Sequence, residues 1–296
     1  MSGHSVRKAV IPAAGFGTRM LPFTKTVPKE LIPLADKPVI QYVVEEAVAA
    51  GAEEILMIIS SGKEALVKHF QPAEAVEERL RVSGRTALLD EMRKLSALAD
   101  IRYVYQQELD GLGGAVRMAA GFAGDDPVLV LLGDTVMDSV SEIPVAGQLA
   151  EVYRRYHSSV VALEQVPPDK VSSYGIAAGR EIESGIVKLD DLVEKPSPEK
   201  APGDLAVVAR YLLTPAIFPI LSEIERGVNN ELQLTDAIRK LMGSERVYGC
   251  RIAGKRYDLG NVAGFIAANV EFALRRPELQ DVLGRRIQNI LKEHYR

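Results

Sequence analysis

The sequence predicts an α/β fold with a largely parallel sheet, and three observations carry that expectation. Short apolar runs rich in β-branched residues recur at positions 9–11, 55–59, 101–105, 128–132 and 160–163. Longer segments with helical spacing lie between several of them, the order in which βαβ units are written. The chain has 296 residues, 47% of them hydrophobic and 26% charged, enough to bury a full core in one large domain or two modest ones.

The elements follow in order. After the first run, Pro38 suits a first helical position, Val39, Tyr42, Val43 and Ala47 share one face, and Gly51 supplies the stop. With the second run this makes a βαβ unit. Residues 73–99 are charged, and Leu80, Leu88, Leu89, Met92 and Leu95 are spaced too irregularly for one helix. Two helices broken near Ser83-Gly84 are expected there, as an insertion on the sheet. From Tyr174 onward strand-like stretches continue at 175–178, 186–193 and 205–213, but helices no longer alternate with them, which points to mixed strands. Helices return at 215–224, 234–241 and 262–274, and residues 277–295 read as an amphipathic helix, placed either to pack on its own domain or to build a subunit contact. No repeat, linker or low-complexity tract divides the chain, so residues 1–296 are expected to form one domain.

Composition narrows the function. A net charge of −4 gives no global attraction for nucleic acid or anionic membrane, so anionic ligands need local clusters of donors. One cysteine, Cys250, cannot form an internal disulfide, and the N-terminal segment has Arg7 and Lys8 but only a short apolar run before Pro12. A reducing, cytoplasmic setting without a signal peptide is expected. The longest apolar runs fall far short of the roughly 20 residues that span a bilayer.

The most informative local feature is Ala13-Ala14-Gly15-Phe16-Gly17-Thr18-Arg19, directly after the first strand. Two glycines let backbone N–H groups approach a phosphate without a Cβ in the way, and Arg19 adds a charged fork. No Gly-Lys-Ser/Thr follows, which excludes a Walker A loop, and Met20 replaces the third glycine of a dinucleotide fingerprint. Two glycines alone describe an ordinary turn. The continuation raises the odds, because Thr24, Lys25, Pro28, Lys29 and Glu30 bring two further cations and a carboxylate. Lys25 and Lys29 would repel each other on an exposed helix, so a shared anion is the better reason for them.

This loop, together with Leu21-Pro22, Thr24-Lys25, Pro28-Lys29-Glu30, Pro33, Lys37-Pro38 and Ile40-Gln41-Tyr42-Val43-Val44-Glu45-Glu46-Ala47, closely resembles the bacterial UTP:glucose-1-phosphate uridylyltransferases, also called UDP-glucose pyrophosphorylases. Later blocks match in order and spacing over nearly the whole chain. The resemblance implies a Rossmann-like nucleotidyltransferase fold with a mixed, mostly parallel central sheet flanked by helices and a C-terminal helical extension. In it, residues 1–173 would bind nucleotide, 174–275 the sugar phosphate, and 276–296 would form the extension. Ala13, Ala14, Gly15, Gly17, Thr18 and Glu30 would contact the nucleotide, and Arg19, Lys29 and Lys195 would be catalytic.

Further blocks fill in the site. Gln106 precedes Gly111-Leu112-Gly113-Gly114-Ala115-Val116 and could offer both a donor and an acceptor to a pyrimidine edge. The resemblance implies that Gln106 faces uracil and that Gly111 contacts the base through its backbone. Gly114 stands where the family commonly has histidine, which would loosen the loop. Residues 128–132 end in Gly133-Asp134, and ligands of open α/β sheets gather at the carboxyl ends of strands. Mg2+ takes one or two carboxylates plus phosphate oxygens, and the family's two metal ligands match Asp134 and Asp258. Thr135 and Val262 replace an acid and a lysine found in some members. Tyr174-Gly175-Ile176 and Val193-Glu194-Lys195-Pro196 resemble the sugar site, with Gly175 and Glu194 on glucose and Lys195 on its phosphate. The block 201–211 flanks that site with small departures. Residues 230–236 match a family block too, but read equally well as a helix start with local caps.

The implied reaction joins UTP and glucose 1-phosphate into UDP-glucose and pyrophosphate, with Mg2+ as cofactor, by in-line attack on the α-phosphorus. A phosphate monoester is already largely dianionic at neutral pH, so no general base is needed. Four scattered histidines, His4, His69, His157 and His294, and one cysteine support neither a nucleophile nor a zinc site. Rival readings are a thymidylyltransferase on the same sugar phosphate and a poorly active paralogue that regulates an active partner. A homodimer or homotetramer is expected from the C-terminal helix and the family.

Overall fold

A computed structural model describes residues 6–294; His4 and the end of the last expected helix, Tyr295, lie outside them. Strand β1 (Lys8–Pro12) opens the chain, and after the long loop the two-residue strands β2 (Pro33–Leu34) and β3 (Lys37–Pro38) form a small turn into helix α1 (Val39–Ala49). Val39, Ile40, Val43, Val44 and Ala47 are buried at helical spacing, and Gly51, at φ 109°, lets the chain leave the helix. Tyr42, expected on that same face, turns instead to an edge-on contact with Phe272 at 5.6 Å.

Strand β4 (Glu54–Ile59) and the short α2 (Ala65–Lys68) follow, then α3 (Glu74–Val82) and α4 (Thr86–Ser96), broken at Ser83-Gly84 as the spacing predicts. Gly84 takes a positive φ of 70° at the break. Next come β5 (Asp100–Tyr105), α5 (Leu112–Arg117), α6 (Ala120–Ala123), β6 (Val128–Leu131), β7 (Thr135–Ser139), α7 (Val145–Tyr156) and β8 (Val160–Gln165). The second half runs β9 (Gly175–Glu183), β10 (Ile186–Glu194), β11 (Leu205–Leu213), α8 (Ile217–Glu223), α9 (Leu234–Leu241), β12 (Tyr248–Arg251), β13 (Gly254–Asp258), α10 (Val262–Leu274) and α11 (Pro277–His294).

Nine strands form one sheet in the order β5-β4-β1-β6-β11-β8-β12-β10-β9. β5, β4, β1 and β6 are mutually parallel. β11 inserts antiparallel between β6 and β8, and β10 is antiparallel to both β12 and β9. The sheet is therefore continuous across the two halves and mixed in the second, as expected. Alternate residues of β1 and β6 feed opposite cores: Ala9, Ile11, Leu129 and Leu131 on one face, Val10, Val128 and Val130 on the other. Cover on both faces explains why these strands read as unbroken apolar runs.

Strands β7 and β13 and helix α7 are among the elements that the sequence does not announce. β7 and β13 pair antiparallel, from Gly254↔Ser139 to Asp258↔Thr135, outside the main sheet. A third core of Leu34, Val39, Val136, Tyr257, Leu259 and Ala268 packs this pair against α1 and α10. Amphipathic α7 buries Val145, Leu149, Val152 and Tyr153. Helix α11 buries none of its side chains. No helix of the described residues is long and apolar enough to cross a membrane.

Candidate active site

Because β1, β4, β5 and β6 run parallel, their carboxyl ends share one edge of the sheet. The residues that follow them are Ala13 to Gly15, Lys63, Gln106 and Asp134, so a crevice forms where β1 faces both β4 and β6. A cavity of about 290 Å³ there is lined by Ala13, Ala14, Gly15, Lys29, Glu30, Gln106, Gly111 and Asp134, with Leu109, Leu112 and Glu231 among the other walls. Of the expected nucleotide contacts, Gly17 and Thr18 line neither this cavity nor its neighbour. Gly17 serves the turn: its φ is 66°, its carbonyl accepts from Thr24 Oγ1 at 2.9 Å, and Lys29 packs where a Cβ would stand. Lys25 is exposed and lines neither cavity.

The loop is held from beneath by Lys63, which the sequence reading missed. Its buried ammonium donates to the carbonyls of Ala13 at 2.6 Å and Gly15 at 2.7 Å and to both carboxylate oxygens of Glu30 at 3.0 Å. Burial pushes the Glu30 carboxyl up and the Lys63 amine down, each opposed by the charge of the other. Glu30 thus reaches the cavity wall with both oxygens already engaged. Replacing Lys63 with methionine keeps the stem but strands Glu30, at an expected cost of about 3–5 kcal/mol at pH 7. A carboxyl whose folded pKa exceeds its unfolded value favours the folded state more as pH falls through the folded pKa. The deficit of Lys63→Met should therefore shrink toward acid, which melting curves between pH 5 and pH 8 would show.

Gln106 and Gly111 meet at the far wall. Gly111 has φ 98°, and a Cβ on it would lie 2.7 Å from Glu231 Cβ, so only glycine fits. Residues 230–236 are the reason. Leu232 donates its N–H to Asp110 O at 2.6 Å and accepts from Gly113 N at 2.8 Å. The expected local caps are not there: Gln233, at the start of α9, makes no side-chain cap bond and donates to Val228 O at 2.8 Å instead. The segment braces the glycine turn, and Glu231 lines both cavities. The Asp110 carboxylate fills the space beside Gly114.

The β7–β13 register sets Asp258 opposite Thr135, next to Asp134. Asp258 Oδ1 and Asp134 Oδ2 lie 3.1 Å and 3.4 Å from the point a Cβ on Gly260 would occupy, and Arg19 Nη2 lies 2.8 Å from it. Two carboxylates and a guanidinium thus converge over one bare backbone position. Lys29 Nζ donates to Asp134 Oδ2 at 2.5 Å, and Arg19 stands 4.0 Å from Asp258. Burial alone would raise the Asp134 carboxyl, but Lys29 outweighs it and holds the group below its ordinary value. Burial likewise lowers Lys29, and Asp134 with Glu30 more than restores it. Among the described residues no three or more His, Cys, Asp or Glu converge. A pair of carboxylates open to phosphate oxygens is the donor set that suits Mg2+ rather than a protein-only cage. Neither cavity is lined by histidine or cysteine, and burial pushes the Cys250 thiol up to about 11.

A second cavity, of about 330 Å³, shares Asp134 with the first and is lined also by Arg19, Tyr174, Gly175, Glu194, Lys195, Arg256 and Asp258. The Glu194↔Gly175 register of β10 and β9 sets these two side by side. Lys195 then takes φ 43°, a left-handed conformation costly for a side chain with a Cβ, and its ammonium lies 3.3 Å from Glu194 Oε1. Tyr174 is fixed by Arg256, which donates to its hydroxyl at 3.0 Å and to Glu164 at 2.7 Å. Beneath both cavities, a bulge in β11 turns Arg210 fully inside. It pairs with Glu46 of α1 at 2.7 Å and donates to the carbonyl of Thr135 at 2.9 Å, steadying the backbone beside Asp134. Block 201–211 is therefore structural support as well as a flank.

A fold with this strand order and two adjoining anion-ready cavities belongs to a defined class: the chain is a member of the nucleotidyl transferase family, which it matches over residues 8–274. Among individual relatives, it is 46% identical to the UTP–glucose-1-phosphate uridylyltransferase YngB of Bacillus subtilis over 97% of this chain and 96% of that one. A solved UDP-glucose pyrophosphorylase complexed with UDP-glucose superposes with a TM-score of 0.84 at 39% identity, covering 92% of this chain and 100% of the other. The UTP-bound UGPase of Acinetobacter baumannii gives 0.86 at 32% identity, over 98% and 99%.

Proposed function

We propose that this protein is a UTP:glucose-1-phosphate uridylyltransferase that transfers a uridylyl group from UTP to glucose 1-phosphate, giving UDP-glucose and pyrophosphate, with Mg2+ held by Asp134 and Asp258. The observation that carries the reading is the pair of cavities meeting at Asp134, one walled by the glycine loop and Gln106, the other by Glu194 and Lys195. The nucleoside lies against Ala13, Ala14, Gly15 and Gly111 with its base toward Gln106. Glucose lies on Gly175 and Glu194, and Lys195 steadies its phosphate. An oxygen of that phosphate attacks the α-phosphorus of UTP, and the bond to the β-phosphate breaks. When bound, the metal neutralises phosphate charge and aligns the reacting oxygens. Arg19 and Lys29 release their carboxylate partners toward the departing pyrophosphate, whose developing charge they compensate.

The fold and the named relatives support UTP as the nucleotide, and the intact set of Arg19, Lys29, Asp134, Lys195 and Asp258 supports an active enzyme over a regulatory paralogue. A lone buried cysteine and nucleotide substrates fit a cytoplasmic setting. The apolar side chains exposed along the last two helices, among them Val262, Ile266, Val282, Ile290 and Leu291, fit a homodimer or homotetramer joined through α10 and α11. Pyrophosphate release with glucose 1-phosphate across UTP, dTTP, CTP, ATP and GTP tests the assignment. UTP is expected to give the highest kcat/KM, and excess EDTA to abolish turnover until Mg2+ is restored. A preference for dTTP, or no turnover with any of them, would overturn it.

A further inference from the structure

We infer that Asp110, seated in the space beside Gly114, sets base specificity by holding the Gln106 amide so that only its carbonyl oxygen is presented to the nucleotide cavity. Asp110 is 4% exposed and does not line that cavity, so it acts through Gln106 as a positioning residue. Its Oδ1 accepts from Gln106 Nε2 at 2.9 Å, and its Oδ2 accepts from Arg117 Nη2 at 3.0 Å. A Cβ on residue 114 would lie 1.8 Å from Oδ1, 2.3 Å from Cγ and 2.6 Å from Oδ2. The carboxylate therefore occupies ground that any side chain at 114 would take, and Gly114 and Asp110 form one device.

The chemistry of the neighbours dictates which end of the amide faces inward. A carboxylate paired with a guanidinium and a backbone carbonyl are both acceptors. Gln106 Nε2 faces one of each, Asp110 Oδ1 and Gly111 O, the latter at 3.3 Å. Both amide hydrogens are thereby committed, and Gln106, which lines the cavity, is left with an acceptor, Oε1, to offer a base. Uracil carries N3–H, a donor, between its two carbonyl groups, whereas the N3 of cytosine is an acceptor. Gln106 Oε1 thus pairs with an imide base and confronts cytosine acceptor to acceptor. Thymine has the same N3–H, so the device selects imide pyrimidines as a class and does not separate UTP from dTTP.

The inference rests on the proposed reading that the base lies beside Gln106, and the test separates the two. Initial rates of pyrophosphate release with glucose 1-phosphate are measured for UTP and CTP on the full chain and on two variants. Wild type is expected to favour UTP by at least about 100-fold in kcat/KM, as sites built around a substrate hydrogen bond do. Asp110→Asn is isosteric but presents a donor of its own, which frees the Gln106 amide to turn over. Gly114→Ala reaches the same contact by another route, because its methyl takes the place of the Asp110 carboxylate. In each, folded by circular dichroism, the UTP/CTP ratio should fall by about tenfold or more, through a higher KM for UTP and a lower one for CTP, with the KM for glucose 1-phosphate unchanged. A merely structural part for Asp110 would lower both nucleotides alike and leave the ratio standing. If either folded variant keeps the ratio within twofold of wild type, the inference fails while the proposed function survives. A wild-type chain that uses neither UTP nor dTTP overturns both.

Discussion

Asp134→Asn should lower kcat by about 1000-fold or more, since the loss of a metal-centred stabilisation of several kcal/mol translates at tenfold per 1.36 kcal/mol. The side chain keeps its shape but loses the charge on which Lys29 and, in the proposed reading, Mg2+ depend. Steady-state assays at saturating substrates and a Mg2+ titration check this, and activity near wild type at any Mg2+ concentration would remove Asp134 from the site. Stability should respond as well. Asp134 is held below its ordinary pKa, chiefly because the Lys29 charge outweighs the cost of burial. Such a carboxylate adds stability that is fully present above its unfolded value of about 3.9 and is lost as pH falls through the depressed folded value. The asparagine variant lacks that contribution, so its melting temperature should lie below wild type at neutral pH, with the gap closing in strong acid.

The second large effect is expected at Lys195. Truncation to alanine removes the cation facing the sugar phosphate, and kcat/KM for glucose 1-phosphate should drop by about 100- to 1000-fold, the usual loss for one preorganised electrostatic partner. UTP affinity, measured by calorimetry, should change by less than threefold, because Lys195 lines only the second cavity. Arginine is expected not to restore activity. Its planar fork is a different object from a compact ammonium. Equal losses for both substrates would contradict the division of the two cavities.

Much of this was legible in the sequence, for a physical reason. Positions 9–11, 55–59 and 128–132 announce themselves because a strand covered on both faces must be apolar throughout, and the break at Ser83-Gly84 because no single helix can bury leucines so spaced. Gly133-Asp134 could be placed because it ends such a strand. What escaped depends on contacts between distant parts of the chain. β13 pairs with β7 across more than a hundred residues and is amphipathic only in a context the chain supplies after folding. Lys63 follows a strand like many surface lysines do, and nothing nearby says that its ammonium turns under the loop to Glu30. By sequence Arg210 merely flanks the sugar site, although its complete burial makes it a strut. At Gly114 the missing side chain is legible, but not that Asp110 takes up the space. In each case the local pattern fits two environments, and only the partner decides between them.

Helices α3 and α4 show the opposite economy. They bury only Leu89 and Leu95 between them, and no residue of either lines the two cavities. Chain ends and insertions are best tolerated where little backbone is buried and few contacts are lost. The turn at Ser83-Gly84 is thus the natural place to graft a reporter domain without disturbing either cavity.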